Sequence, residues 1–255
     1  MITLLQLDWS LIALLFATMI LAGLVHGALG LGFPMVATPI VAIFLDVRSA
    51  ILLTLLPTVV VNIASIVGTA NYVDNVRRHG LLVVMALIGS LLGAYVLAIA
   101  DPNPFRLVLA LLIGLFLWTS HSNKVPREWF KAHVPLAMVL FGLLSGFSAG
   151  TTNVMVAVLI IFFIAMETPR PTMVPVMNTC FMIGKLSQIL ILSVAGFISA
   201  TLLVETIPLA AAGLGALLVG QRLRDRIPVA TYRRLLHILL AGLAVTLIVQ
   251  FSQST

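Results

Sequence analysis

The chain has 255 residues, 61% of them hydrophobic and 9% charged, with a mean hydropathy of +1.20. No soluble fold of this size has an interior large enough for so much apolar surface, so the composition specifies an all-α polytopic membrane protein forming one bilayer-embedded domain. The formal net charge of +6 does not point to nucleic acid: the basic residues are spread through short gaps beside apolar runs, where membrane topology accounts for them.

The opening stretch MITLLQLDWSLIALLFATMILAGLVHG has no Lys or Arg ahead of its apolar run. It is therefore expected to stay as a first helix rather than act as a cleaved signal. Apolar runs cover 10–45, 49–72, 80–100, 104–121, 133–166, 171–200, 202–221 and 231–251. One crossing takes ~20 residues, whereas the first and fifth runs hold 36 and 34, with glycine clusters near their middles. The positive-inside rule arbitrates by parity. With both long runs counted as single crossings, the Lys and Arg of the gaps divide 8 to 5. With each going in and coming back, Arg77, Arg78, Lys124, Arg127, Lys131, Arg170, Arg222, Arg224, Arg226, Arg233 and Arg234 share one side and Arg48 and Arg106 the other, a split of 11 to 2. The sharper split predicts ten elements in the cytoplasmic (inner) membrane with both termini outside. Full crossing and re-entry of the short second members remain equally open.

Ten elements divide into five and five: an N-terminal repeat over 1–120, a cytoplasmic linker HSNKVPREWFKAH at 121–133, and a C-terminal repeat over 134–255. GLVHGALGLGFP opens the first half and GLLSGFSAGTTN the second, aligning Gly23 with Gly142 and Gly27 with Gly146. Further on, NIASIVG (Asn62 to Gly68) answers NTCFMIG (Asn178 to Gly184), each after a proline, Pro57 or Pro175. PFRLVLALLIG then answers ATYRRLLHILLAG. An odd number of elements per repeat makes the two copies inverted, the plan of many secondary transporters, with discontinuous helices at the start of each half. Gly89, Gly93, Gly213, Gly215 and Gly220 read as packing glycines. The two openings, which gather Gly, Pro, Ser, Thr and Asn, read as helix breaks.

At these residues the chain resembles the TauE/SafE family of membrane permeases, also called sulfite exporters, over nearly its whole length. Family openings resemble G-x-G-G-G followed by proline; GALGLGFP keeps three glycines and Pro34, while GFSAGTTNV keeps two and lacks the proline. The resemblance implies the fold and, as substrate class, sulfite, organosulfonates and related oxyanions moved outward. It implies no cofactor. The oligomeric state is open, a homodimer being one arrangement.

The embedded charges carry their own message. Asp46, Asp74, Asp101, Glu167 and Glu205 all stand at the ends of apolar runs, and no acid sits mid-membrane, which argues against a cation carrier or a carboxylate proton relay. Lys185 lies near the centre of the 171–200 run, ~20 Å from either end and beyond snorkelling reach. It is expected to face a cavity and an anion. Asn178 and Gln188 share its stripe, seven residues before and three after. Asn62, Ser65 and Thr69 are the corresponding positions in the first half. Unwound backbone at Gly30 to Gly32 and after Gly150 is expected to offer N–H groups to an oxyanion, with Ser148, Thr151, Thr152 and Asn153 as neutral donors. His26 is as consistent with helix packing as with a ligand. Cys180, the single cysteine, excludes an internal disulfide and a thiolate metal site.

GFSAG at 146–150 also fits G-x-S-x-G, the elbow that presents a catalytic serine, and His237 is the one base that could serve Ser148. The strand-to-helix context of that elbow is missing, and Ser148 corresponds to Leu29 in the other half. Beside a secondary carrier of sulfur oxyanions, the alternative is an anion channel or a permease for another small anion, and an intramembrane serine protease using Ser148 and His237 ranks well below both.

Overall fold

A computed structural model describes residues 4, 7–67, 69, 71–121, 126–224 and 229–254. Gly68, Ser122, Lys124 and Arg226 lie outside these residues, as does the side chain of Arg233. The described residues form thirteen helices and no strand: α1 (Trp9–Leu29), α2 (Phe33–Phe44), α3 (Val47–Ile66), α4 (Tyr72–Arg78), α5 (Gly80–Ile99), α6 (Pro104–His121), α7 (Arg127–Ala132), α8 (Val134–Thr152), α9 (Val156–Ala165), α10 (Arg170–Val194), α11 (Ala200–Glu205), α12 (Ile207–Leu223) and α13 (Val229–Ser254). Seven apolar spans among the described residues are long enough to cross a bilayer, with α11 and α12 together forming one of them. Three shorter apolar helices, α2, α6 and α9, bring the number of membrane elements to ten, and α4 and α7 are short helices outside these. The chain is a multi-pass membrane protein.

Both long runs break and return. Gly30 ends α1 in the left-handed region (φ 82°), its N–H donating to His26 O, and Gly32 (φ 105°) opens α2 with Pro34 in the first turn. In the second half the helix runs on past Gly150 to Thr152, and Asn153 (φ 64°) makes the left-handed turn. Asn is the side-chain-bearing residue that best tolerates that region. The second break therefore lies three residues beyond the glycine that suggested it. At 1.5 Å per residue α2 and α9 rise only ~18 and ~15 Å, too little to cross a ~30 Å core alone.

Side-chain contacts sort the helix ends into two faces. On one, Arg48 donates from Nε and Nη2 to Leu97 O (3.0 and 2.8 Å) and lies 4.6 Å from the centre of the Phe197 ring. Arg106 donates to Leu45 O (3.0 Å), Gln250 to Ile43 O (2.9 Å), and Leu4 N to Glu205 Oε2 (2.6 Å). On the other, Arg127 and Lys131 both pair with Glu167 at 2.9 and 2.7 Å. The His79 ring lies against Phe162 and Phe163, and Arg170 donates to Leu29 O (2.6 Å). Lys131 donates to Glu167 and, with Arg127 beside it, holds that carboxyl below the usual carboxylate range. Residues 4, 43–48, 97–106, 197–205 and 250 thus share one face, so α1 with α2, and α8 with α9, each leave a face and come back to it.

α1 packs on α12 and α8 on α5 at glycine-lined seams, while α3 crosses α10 and α6 crosses α13. A Cβ on Gly27 would stand 2.2 Å from Leu217 O, and one on Gly146 2.1 Å from Ala86 O. Gly23 and Gly142 are similarly crowded, so these four glycines of the openings serve close helix approach. Gly89, Gly93, Gly213 and Gly220 pack as expected, but Gly215 faces open space and packs against nothing.

Candidate functional site

Two polar clusters occupy the two breaks. At the second, the Lys185 ammonium donates to Asn153 Oδ1 and to Gln188 Oε1 (2.6 Å). Gln188 Nε2 donates to Ala149 O (2.9 Å) and Gly150 O (3.0 Å), the carbonyls at the end of α8. Asn153 Nδ2 donates to Thr38 Oγ1 (3.0 Å) on α2 and Thr54 Oγ1 (3.4 Å) on α3. Both amides use both N–H bonds, which fixes their oxygens toward Lys185. All five side chains are buried, Lys185 to 2% exposure.

No carboxylate joins this cluster: the ion pairs among the described residues are those of Glu167 with Arg127 and Lys131. Burying an ammonium costs several kcal/mol even after relaxation, and two charge-assisted hydrogen bonds return ~1.5–3 kcal/mol each. The terms are of similar size, so neutral acceptors can hold the cation in place without neutralising its field. Lys185 is not at the centre of its helix. α10 ends at Val194, nine residues on, or ~14 Å.

At the first break, Phe33 N donates to His26 Nδ1 (3.2 Å), so Nε2 carries the proton of the neutral ring and donates to Ser65 Oγ (2.9 Å). Ser65 Oγ donates in turn to Val61 O (2.8 Å). His26 therefore acts as a cap for the start of α2. Asn178 Nδ2 donates to Gly30 O (3.1 Å) and Val174 O (3.0 Å). A cavity of about 310 Å³ opens beside Gly30, lined by Ser65, Thr69, Arg170, Val174 and Arg224 among others. Asn178 Oδ1 and both amide atoms of Asn62 are buried without a partner among the described residues.

The sequence-derived set is thus divided. Lys185, Gln188, Asn153 and the Gly150 carbonyl meet at one break; His26, Gly30, Ser65, Thr69 and Asn178 gather at the other. Asn178 shares the stripe of Lys185 but stands seven residues away, ~10 Å along the axis. A methyl on Gly32 would meet nothing within 4 Å, whereas one on Gly150 would stand 2.5 Å from both Ser90 O and Ala94 N, so Gly150 serves packing. Ser148, Thr151 and Thr152 donate to the carbonyls of Leu144, Phe147 and Ser148 in their own helix. His237 is engaged with Ser120 (2.9 Å) and the Phe116 ring, not with Ser148. Thr38, Thr54, Arg170 and Arg224 were not foreseen. A helical Thr ordinarily bonds the preceding turn, as Thr54 does with Ala50 O, and the arginines read only as topology charges. No group of three His, Cys, Asp or Glu side chains among the described residues is placed to hold a metal ion.

The family model described as "Sulfite exporter TauE/SafE" matches residues 15–247. No curated protein and no solved structure matches the chain significantly.

Proposed function

Because the chain belongs to the TauE/SafE sulfite exporter family, whose members are membrane transporters rather than enzymes, we propose that it is a secondary carrier. It exports a small sulfur oxyanion, sulfite or an organosulfonate, across the cytoplasmic membrane by alternating access. The observation that carries this reading is Lys185: a buried ammonium with no carboxylate partner among the described residues, held by Asn153 and Gln188 of the second half, with Asn153 in turn bonded to Thr38 and Thr54 of the first. Two acceptors engage two of its three N–H donors, and the third serves an oxygen of the anion. One fixed charge among neutral amides and hydroxyls suits a cargo that must be released as well as bound.

The two halves, 1–120 and 134–255, are inverted repeats joined by a cytoplasmic linker at 121–133. The helix neighbours support this, since exchanging the halves turns the α1–α12 seam into the α8–α5 seam and leaves the α3–α10 and α6–α13 crossings in place. The breaks obey the same exchange. α10 reaches the first break through Arg170 and Asn178, and α3 reaches the second through Thr54. Lys185, Gln188, Asn153, Thr38 and Thr54 form the inner anion site, and Asn62 and Asn178 supply amides nearer the opposite face.

Flux in proteoliposomes tests the reading with a panel of sulfite, sulfoacetate, thiosulfate, sulfate and a carboxylate, each with and without a proton gradient. Saturable movement of a sulfur oxyanion is expected. If every anion stays put, or a cation moves instead, the reading is wrong.

A further inference from the structure

The cavity beside Gly30 lies apart from the Lys185 cluster. Its lining reaches Val174 on α10, eleven residues before Lys185, or ~16 Å along the axis. An anion the size of sulfite cannot touch both. The cavity holds about 310 Å³, some ten waters at ~30 Å³ each, and opens on the face of Arg127 and Lys131.

Its chemistry favours negative charge. Two guanidinium groups, Arg170 and Arg224, and two hydroxyls, Ser65 and Thr69, line it, and among the described residues no carboxylate does. Arg170 is anchored through Nη2 on Leu29 O (2.6 Å), which fixes its charge beside the end of α1. Arg224 follows α12 and is exposed at the rim. Asn178 bonds the carbonyls of two lining residues, Gly30 and Val174, and its buried Oδ1 has no partner among the described residues. Asn178 itself stands behind that lining, so its acceptor calls for a buried water rather than for the cargo directly.

Resting on the transport reading above, we propose that this cavity is a second anion site, which captures the oxyanion on the cytoplasmic side before it reaches Lys185, and that Arg224 is its specificity-determining residue. A guanidinium fork meets two oxygens of a sulfonate or sulfite at once, which a point charge does not. Capture close to the basic face concentrates the anion where export starts, and Lys185 receives it deeper in the membrane.

The test is sulfite flux in inside-out and right-side-out vesicles carrying wild type, Arg224→Gln, Arg224→Lys and Arg222→Gln. Arg222 is exposed on the same helix end and does not line the cavity, so it controls for surface charge. Arg224→Gln should raise the KM for sulfite entering from the cytoplasmic side about tenfold, the worth of one charge-assisted hydrogen bond, and Arg224→Lys should restore it in part. From the other side KM should stay within about twofold, and Arg222→Gln should match wild type on both, as expected for an exposed charge that meets no bound anion. An unchanged KM for Arg224→Gln on both sides, an equal rise on both, or an equal effect of Arg222→Gln would each overturn the capture site while wild-type flux still upholds the carrier. Absence of wild-type sulfite flux would overturn both.

Discussion

Gly146→Ala places a methyl where the α5–α8 seam has no room. The added Cβ would stand 2.1 Å from Ala86 O and 2.9 Å from Ala86 Cα. Ordinary carbon contacts need ~3.5 Å, and the obstacle is backbone, so no rotamer change relieves it. The helices must part by more than 1 Å, which also strains the Ser90 Oγ bond to Gly146 O, now 3.1 Å. Overpacking costs ~1–3 kcal/mol and the weakened hydrogen bond up to ~1 kcal/mol, set against a helix-propensity gain of ~1 kcal/mol for Gly→Ala. The net expectation is a loss of up to ~3 kcal/mol. Gly215→Ala on α12 meets nothing within 4 Å and should be neutral or stabilising by up to ~1 kcal/mol. Gly27, crowded by Leu217 O at 2.2 Å, should behave like Gly146 if the two seams correspond. Thermal unfolding of the purified variants in detergent measures all three. Equal stability of Gly146→Ala and Gly215→Ala would refute the packing argument, and a harmless Gly27→Ala beside a damaging Gly146→Ala would refute the correspondence of the seams.

Gly32→Ala, at φ 105° with open space around it, should cost ~1–3 kcal/mol through backbone strain alone; a stability equal to wild type would show that the break does not need that conformation. Glu167→Gln tests the ion cluster on the basic face. The Lys131 hydrogen bond holds the Glu167 carboxyl below its ordinary 4.5, so its contribution is complete above that pH and is lost as pH falls through the depressed folded value. The Tm gap between wild type and Glu167→Gln should therefore be small, present at pH 7 and closed in acid, and a gap that widens in acid would contradict the assignment. For topology, a cysteine at Glu128 should resist an impermeant thiol reagent in intact cells and one at Ser252 should react, with Cys180 buried and silent. The reverse pattern would invert the orientation.

The ten membrane elements were legible because bilayer thickness sets their length, and charge parity exposed the returns at Gly30–Gly32 and Asn153. The exact second break was not, since Gly150 looks like a break while its missing side chain serves the seam against Ser90 and Ala94. Gln188 was readable as a partner of Lys185 because helical spacing brings i and i+3 together. Asn178 shares the stripe but not the turn. Thr38 and Thr54 were out of reach because they come to Asn153 from more than ninety residues away, through tertiary packing that no local pattern records. Arg170 and Arg224 were counted as loop charges, and only the fold turns them toward a common cavity.

Sulfite affinity of Lys185→Met and Lys185→Arg, measured together with Tm on the same purified protein, tests most directly whether the buried ammonium is the anion site. Met removes the cost of a buried charge but leaves the Asn153 and Gln188 oxygens without their donor, ~1–3 kcal/mol for each unsatisfied acceptor, so it should remain folded near the wild-type Tm. The account predicts that sulfite binding at the inner site and net flux are lost in Lys185→Met and partly kept in Lys185→Arg, whose larger planar group fits the site less well. A folded Lys185→Met variant that still binds and moves sulfite with wild-type affinity would remove Lys185 from the site and contradict the account at its centre.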